Sequence, residues 1–159
     1  FGPVNVDLTH SSLELNGAAT EAETLTKLIV SGKVADVNLV AGYGTTNNTT
    51  ARNHGVDLTG DADAKTNFAL DQIKLDDFSD ADAILVGASM PVSKTTTVGV
   101  NHLAGSDDMS TGTAKDFSET DVKVSYKMSK NFNISGWYST GSIGSTDAAE
   151  SRLEVKYTF

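Results

Sequence analysis

The sequence predicts an all-β chain of about eight antiparallel strands, of the kind that wall a transmembrane β-barrel, and three observations predict it. Candidate strands are about 10 residues long, each is apolar on one parity only, and short links alternate with long ones along the chain. A tilted strand of about 9–11 residues crosses a bilayer, whereas strands of globular proteins usually run to about 5–6 residues.

In chain order the strands fall at about 4–13, 24–34, 36–45, 81–91, 96–105, 118–129, 132–141 and 149–159. The first sets Val4, Val6 and Leu8 against Asn5, Asp7 and Thr9, and the second sets Leu28, Val30 and Val34 against Lys27, Ser31 and Lys33. The third carries Val37, Leu39, Ala41 and Tyr43 opposite Asn38 and Gly42. The fourth carries Ile84, Val86, Ala88 and Met90, and the fifth Val98 and Val100 opposite Thr97 and Asn101. In the sixth, Val122, Val124, Tyr126 and Met128 oppose Lys123, Ser125 and Lys127; in the seventh, Phe132, Ile134, Gly136 and Tyr138 oppose Asn133, Ser135 and Ser139. The eighth ends the chain with Leu153, Val155, Tyr157 and Phe159 opposite Arg152, Glu154 and Lys156. No Lys, Arg, Asp or Glu interrupts these apolar sets. Alternation of this kind fits either a sandwich with its apolar face inside or a barrel with its apolar face outside.

The links choose between them. Tight ones near 34–36, 92–95 and 129–131 are interleaved with longer ones near 14–23, 46–80, 106–117 and 142–148, so the tight turns are expected at one end. Short periplasmic turns opposite long extracellular loops are a barrel pattern, and a Greek-key sandwich has no reason to sort its loops this way. Phe159 then lies at the tight-turn end, which makes the C-terminus periplasmic. Phe132, Tyr157 and Phe159 on that side, with Tyr43 and Tyr138 towards the other, read as interfacial girdles.

The bulk composition agrees. Of 159 residues 38% are hydrophobic, Gly (14) is common and Pro (2) scarce, and mean hydropathy is -0.20. No window approaches the roughly 18 apolar residues of a membrane helix, the uninterrupted apolar runs being short, such as Leu28-Ile29-Val30; a barrel strand shows lipid only one residue in two. There is no cysteine, so thiolate chemistry and disulfides are excluded. Phe1-Gly2-Pro3-Val4 opens without a basic segment and apolar stretch, so the chain is read as mature or as a fragment. A net charge of -9 argues against nucleic acid, which needs a basic face.

Chemistry-bearing patterns are sparse. His10, His54 and His102 have no metal-ligand spacing, and His10 and His102 fall on the lipid parity near outer strand ends. No Gly-x-Ser-x-Gly turn or triad context is present, so no catalytic residue is assigned and the chain is not read as an enzyme. Segment 46–80 is acidic, with Asp57, Asp61, Asp63, Asp71, Asp76, Asp77 and Asp80 against Arg52, Lys65 and Lys74. Asp61-Ala-Asp63 and Asp80-Ala-Asp82 offer hard oxygen ligands to Ca²⁺, but neither matches a twelve-residue EF-hand loop, so a solvated extracellular loop is the reading and no cofactor is assigned. The polar parity supplies the pore-lining candidates Asp7, Lys27, Lys33, Asn101, Lys123, Lys127, Arg152, Glu154 and Lys156, a mildly basic set that the acidic whole-chain charge conceals.

Arg152-Leu-Glu-Val-Lys-Tyr-Thr-Phe159, with Leu153, Val155, Tyr157 and Phe159 at every second position, resembles the C-terminal insertion signal of outer-membrane proteins, which the barrel assembly machinery reads. Asp121-Val-Lys-Val-Ser-Tyr-Lys-Met-Ser-Lys-Asn-Phe-Asn-Ile-Ser-Gly-Trp-Tyr-Ser139 resembles the penultimate hairpin of the major outer-membrane porins of Campylobacter-type bacteria, and Val86-Gly-Ala-Ser-Met-Pro-Val-Ser-Lys94 and Val37–Gly44 have similar spacing. The resemblance implies the C-terminal part of a larger, trimeric, water-filled barrel in the outer membrane of a Gram-negative bacterium, in contact with lipid and lipopolysaccharide. It also implies that the inward constriction loop carried by the first half of general porins is missing from this chain.

The expectation is a passive diffusion channel for ions and small hydrophilic solutes. The alternative is a complete eight-stranded barrel with a structural, adhesive or binding role, whose interior side chains would fill. Trp137 is the only bulky aromatic on the polar parity of the strands as set out, too little to plug a closed barrel.

Overall fold

The computed structural model describes residues 2–13, 22–47, 68, 70, 72–108 and 114–159. They form one sheet of eight antiparallel strands, β1 (Val4–Leu13), β2 (Glu23–Val34), β3 (Val37–Asn47), β4 (Ala81–Pro91), β5 (Thr96–Asp107), β6 (Lys115–Lys127), β7 (Phe132–Ile143) and β8 (Thr146–Tyr157), each beside its neighbours in sequence. Among the described residues β1 and β8 each pair with one strand only. The sole helical element among them is a 3₁₀ turn, Leu75–Asp77, in the β3–β4 connection.

Alternation fixes the register, because a slip by one residue would turn every apolar side chain to the wrong face. The β2–β3 turn is Ala35-Asp36, with Ala35 held at φ 53°, and the lower end is tied further by Gly2 N–H to Lys33 O (2.9 Å), Lys127 N–H to Thr95 O (2.8 Å) and Thr158 N–H to Asn131 O (2.9 Å). One link differs from expectation. The 142–148 connection is a two-residue turn at Gly144-Ser145, with Gly144 at φ 59°, so not every tight turn falls at one end. Hydropathy hides this turn because Ser142 and Asp147, registered opposite each other, carry the strands on past their apolar stretch.

Following registered partners across the sheet from Val4 leads through Gly32, Leu39, Ala88, Val100, Val122 and Tyr138 to Ser151, six residues short of the end of β8 at Tyr157. At a rise of about 3.3 Å per residue and a strand spacing of about 4.8 Å, six residues over seven strand-to-strand steps is a slant of about 30°. The apolar belt follows the slant, from Val4–Leu8 in β1 to Leu153–Phe159 in β8. Strands therefore run oblique to the belt by nearly the 35–45° of barrel strands.

The two faces differ in what covers them. All the exposed large hydrophobic side chains of the strands except Ile143 project from the face that carries Val4, Val30, Leu39, Val86, Val124 and Leu153. Nothing described packs on it. The opposite, inner face holds the core: Leu25, Ala81, Ala83, Leu85, Leu103 and Phe117 are buried beneath Phe68, Ile73, Leu75 and Phe78 of the β3–β4 connection. Phe78 stacks on Phe117 with centroids 4.1 Å apart.

Candidate functional site: the inner face and its docked segment

Registered pairing puts all nine pore-lining candidates on the inner face. Asp7, Lys33, Lys127, Arg152, Glu154 and Lys156 are exposed there, and Asn101 and Lys123 are half-buried. Lys27 is not open to a path, since only 5% of it is exposed beneath the β3–β4 connection. Below that cover the inner face is concave, a hollow of about 470 Å³ lined by Asn38, Ser89, Asn101, Lys123, Ser125 and Trp137. Trp137 is registered between Lys123 on β6 and Arg152 on β8. Three cations of this lower half have acidic neighbours: Lys33 Nζ lies 3.9 Å from Asp36, Lys123 Nζ 3.6 Å from Asp121, and Arg152 Nη2 3.5 Å from Glu154.

The upper half of the inner face is built differently from the sequence expectation. Instead of standing in solvent as an acidic loop, the described end of the 46–80 connection (residues 68, 70 and 72–80) folds back onto the sheet. Three glycines make room on this face, Gly42 and Gly44 for the docked segment and Gly105 for Phe117 of β6. A Cβ on Gly44 would stand 2.5 Å from Leu75 Cδ2 and 3.0 Å from Phe68 Cζ, one on Gly42 would stand 2.9 Å from Phe68 Cε1, and one on Gly105 would strike Phe117. Each missing side chain is matched by an aromatic or leucine that fills the bay.

A polar clasp completes the docking. The Glu119 carboxylate, wholly removed from solvent, accepts the main-chain N–H of Gln72 on Oε1 (2.9 Å) and that of Ile73 on Oε2 (2.5 Å). Ser139 Oγ, on the neighbouring strand, donates to Glu119 Oε1 at 2.8 Å and accepts from Gln72 Nε2 at 2.8 Å. Asp121, two residues along the same face, is equally buried, with Lys123 Nζ 3.6 Å from its Oδ2. At the top, Ala81 N–H bonds Thr46 Oγ1 (3.0 Å) and Asp80 N–H bonds Asp107 Oδ1 (2.9 Å), fixing where the segment re-enters β4. Partial burial raises the Asp80 carboxyl above the usual carboxylate range, and Asp108, Asp107 and Asp82 nearby raise it further.

The remaining sequence candidates are scattered. Asp82 faces outward and accepts the Tyr43 hydroxyl, so it is not paired with Asp80 as a chelate; Asp61, Asp63 and His54 lie outside the described residues. His10 and His102 are exposed on the outer face above the belt, each with its Nδ1 within hydrogen-bond distance of a cross-strand threonine, Thr26 at 2.8 Å and Thr120 at 2.9 Å. Leu153, Val155, Tyr157 and Phe159 project outward at the lower margin, where Phe159 meets Tyr157 edge-on at 5.1 Å and Tyr157 meets Phe132 at 6.3 Å.

Sequence reasoning missed Glu119, Asp121, Gln72 and the docked segment. Their signal was present in two places: in the spacing Phe68-x-Leu70 and Ile73-x-Leu75 inside an otherwise acidic connection, and in Leu25, Ile29, Leu85, Leu103 and Phe117 on the parity that was expected to be polar. Comparison with known proteins adds no relative: no family model, no curated protein and no solved structure matches the chain.

Proposed function

We propose that the chain is wall of an outer-membrane β-barrel that lets ions and small hydrophilic solutes diffuse passively, with its outer face against lipid and lipopolysaccharide and its C-terminus periplasmic. The observation that carries this reading is the opposition of the two faces. Monomeric soluble proteins rarely expose an apolar patch beyond a few hundred Å², yet here nearly every exposed large hydrophobic stands on one face, in a belt that slants as barrel strands do. The opposite face below the docked segment bears Asn38, Ser89, Asn101, Ser125 and Ser135, which keep a path wet.

The docked segment also favours a wide barrel over a closed eight-stranded one. An eight-stranded barrel has an interior just large enough for its own side chains or one small ligand. The inner face here carries a run of main chain from Gln72 to Asp80 as well as side chains. Further strands on the free edges of β1 and β8 would supply the room. In keeping with the resemblance to trimeric porins, the assembly proposed is a homotrimer. The reading is tested by reconstituting the full-length protein into planar bilayers and sugar-loaded liposomes. Conductance steps and size-dependent swelling are expected; solubility without detergent, or silent bilayers, would refute it.

A further inference from the structure

From the clasp we infer that Glu119 is a positioning residue that pins residues 72–80 to the inner face and thereby sets the width of the wet path. The inference rests on the channel reading above and goes beyond it by naming the group that fixes the calibre.

Both oxygens of the Glu119 carboxylate grip main-chain N–H groups, those of two consecutive residues, so the hold acts on the path of the backbone and not on one side chain. The partners are 47 and 46 residues away in sequence, and Gln72 also reaches Ser139 on the next strand, 67 residues away, which closes a ring of hydrogen bonds among Glu119, Ser139 and Gln72. Charge-assisted bonds of this kind are stronger than neutral ones, and more so where water is excluded.

The sheet itself does not need the clasp. Strand β6 is laddered to β5 and to β7 along its length, with Glu119 registered between Leu103 and Gly141. Loss of the Glu119 side chain therefore frees the main chain at Gln72 and Ile73 and leaves the ladder in place. Glu119 thus fixes the backbone path of the segment, alongside the apolar contacts of Ile73, Leu75 and Phe78.

The test uses the full-length protein carrying Glu119→Ala, Glu119→Gln or Ser139→Ala, with heat-dependent gel mobility checking that each barrel is folded. In planar bilayers E119A is expected to raise single-channel conductance and shift the liposome exclusion limit to larger sugars. E119Q, which keeps one acceptor oxygen, should fall between E119A and the wild type, and S139A should lie near the wild type. An independent readout places a thiol under the segment by Ala83→Cys. A charged maleimide should leave A83C protected in the otherwise native protein and label it in the E119A background. Unchanged conductance with E119A, whether or not A83C becomes labelled, overturns the proposal alone. A wild-type protein that never conducts overturns the channel reading, and the proposal with it.

Discussion

Replacement of Val124 by Arg gives the sharpest trial of the outer face. On β6 the belt runs through Val122, Val124 and Tyr126, with Met128 just past the strand's end, and Val124 is 44% exposed in the isolated chain with its side chain in the apolar band. If that band faces hydrocarbon, an arginine near mid-depth costs about 2–4 kcal/mol, falling to about 0–1 kcal/mol at the interface where Met128 sits. If the band were in water, the same change would stay within about 0.5 kcal/mol. Thr97→Arg on the exposed inner face is the control, expected at that lower figure. The assay is reversible urea unfolding of the refolded protein in lipid vesicles. A cost of about 3 kcal/mol is roughly a hundredfold in the folding constant, and at a slope of about 1–3 kcal/mol per molar urea it moves the midpoint by about 1–3 M. Equal midpoints for V124R, M128R and T97R would refute the membrane reading, because no depth profile would exist.

Three further outcomes follow from local geometry. Ala35→Gly should stabilise the protein by about 0.5–1 kcal/mol in the same urea assay, since Ala35 is held at φ 53° where a Cβ crowds the following carbonyl, while glycine's greater freedom in the unfolded chain returns part of the gain. Gly44→Val should destabilise by about 1–3 kcal/mol through overpacking, because a Cβ there stands 2.5 Å from Leu75 and 3.0 Å from Phe68; maleimide labelling of Ala83→Cys in that background should rise as the segment is lifted. Asp80→Asn should stabilise at neutral pH and lose that advantage in acid. The folded carboxyl of Asp80 titrates above its unfolded value of 3.8, so ionisation opposes folding at pH values above the folded pKa, and the penalty has vanished below the unfolded one. Urea midpoints of D80N and wild type compared from acid to neutral pH check the convergence.

How much of this was legible in the sequence depends on which face a residue serves. The eight strands could be read because Val122, Val124 and Tyr126, or Leu153, Val155 and Tyr157, alternate with polar neighbours, and period two is a local property of the chain. The nine inner-face candidates follow from the same parity. Strand ends were less legible: β6 begins at Lys115 and β8 at Thr146, in stretches whose pairing is made by the ladder and whose side chains are polar on the outer face. The clasp was the least legible. Glu119 and Ser139 are ordinary polar-parity residues of neighbouring strands, and only register brings Ser139 opposite Asp121 and leaves Glu119 within reach of Gln72. That association depends on docking a connection from across the sheet, which no periodicity encodes.

Simple alternation does not account for every apolar residue of the strands. Apolar residues occupy both faces, but at different heights. Strand β4 shows the change along its length: Ala81, Ala83 and Leu85 are buried inward near its upper end, and Ile84, Val86 and Met90 face outward further down. Where the two zones overlap, the strand becomes apolar on both faces, and an uninterrupted run results. Ile84-Leu85-Val86 is one such run. Leu28-Ile29-Val30 is another, with Ile29 packed inward against the buried cluster while Leu28 and Val30 stand exposed. The register carries Leu28 to Tyr43 and on to Ile84, and Val30 to Ala41 and on to Val86, so the two runs lie at the same height, which is where the docked segment meets the sheet. Short doubly apolar runs at matching heights on β2 and β4, with Gly42 and Gly44 on β3 between them, are what an amphipathic wall requires when one face carries an exposed apolar belt and the other receives a segment of its own chain.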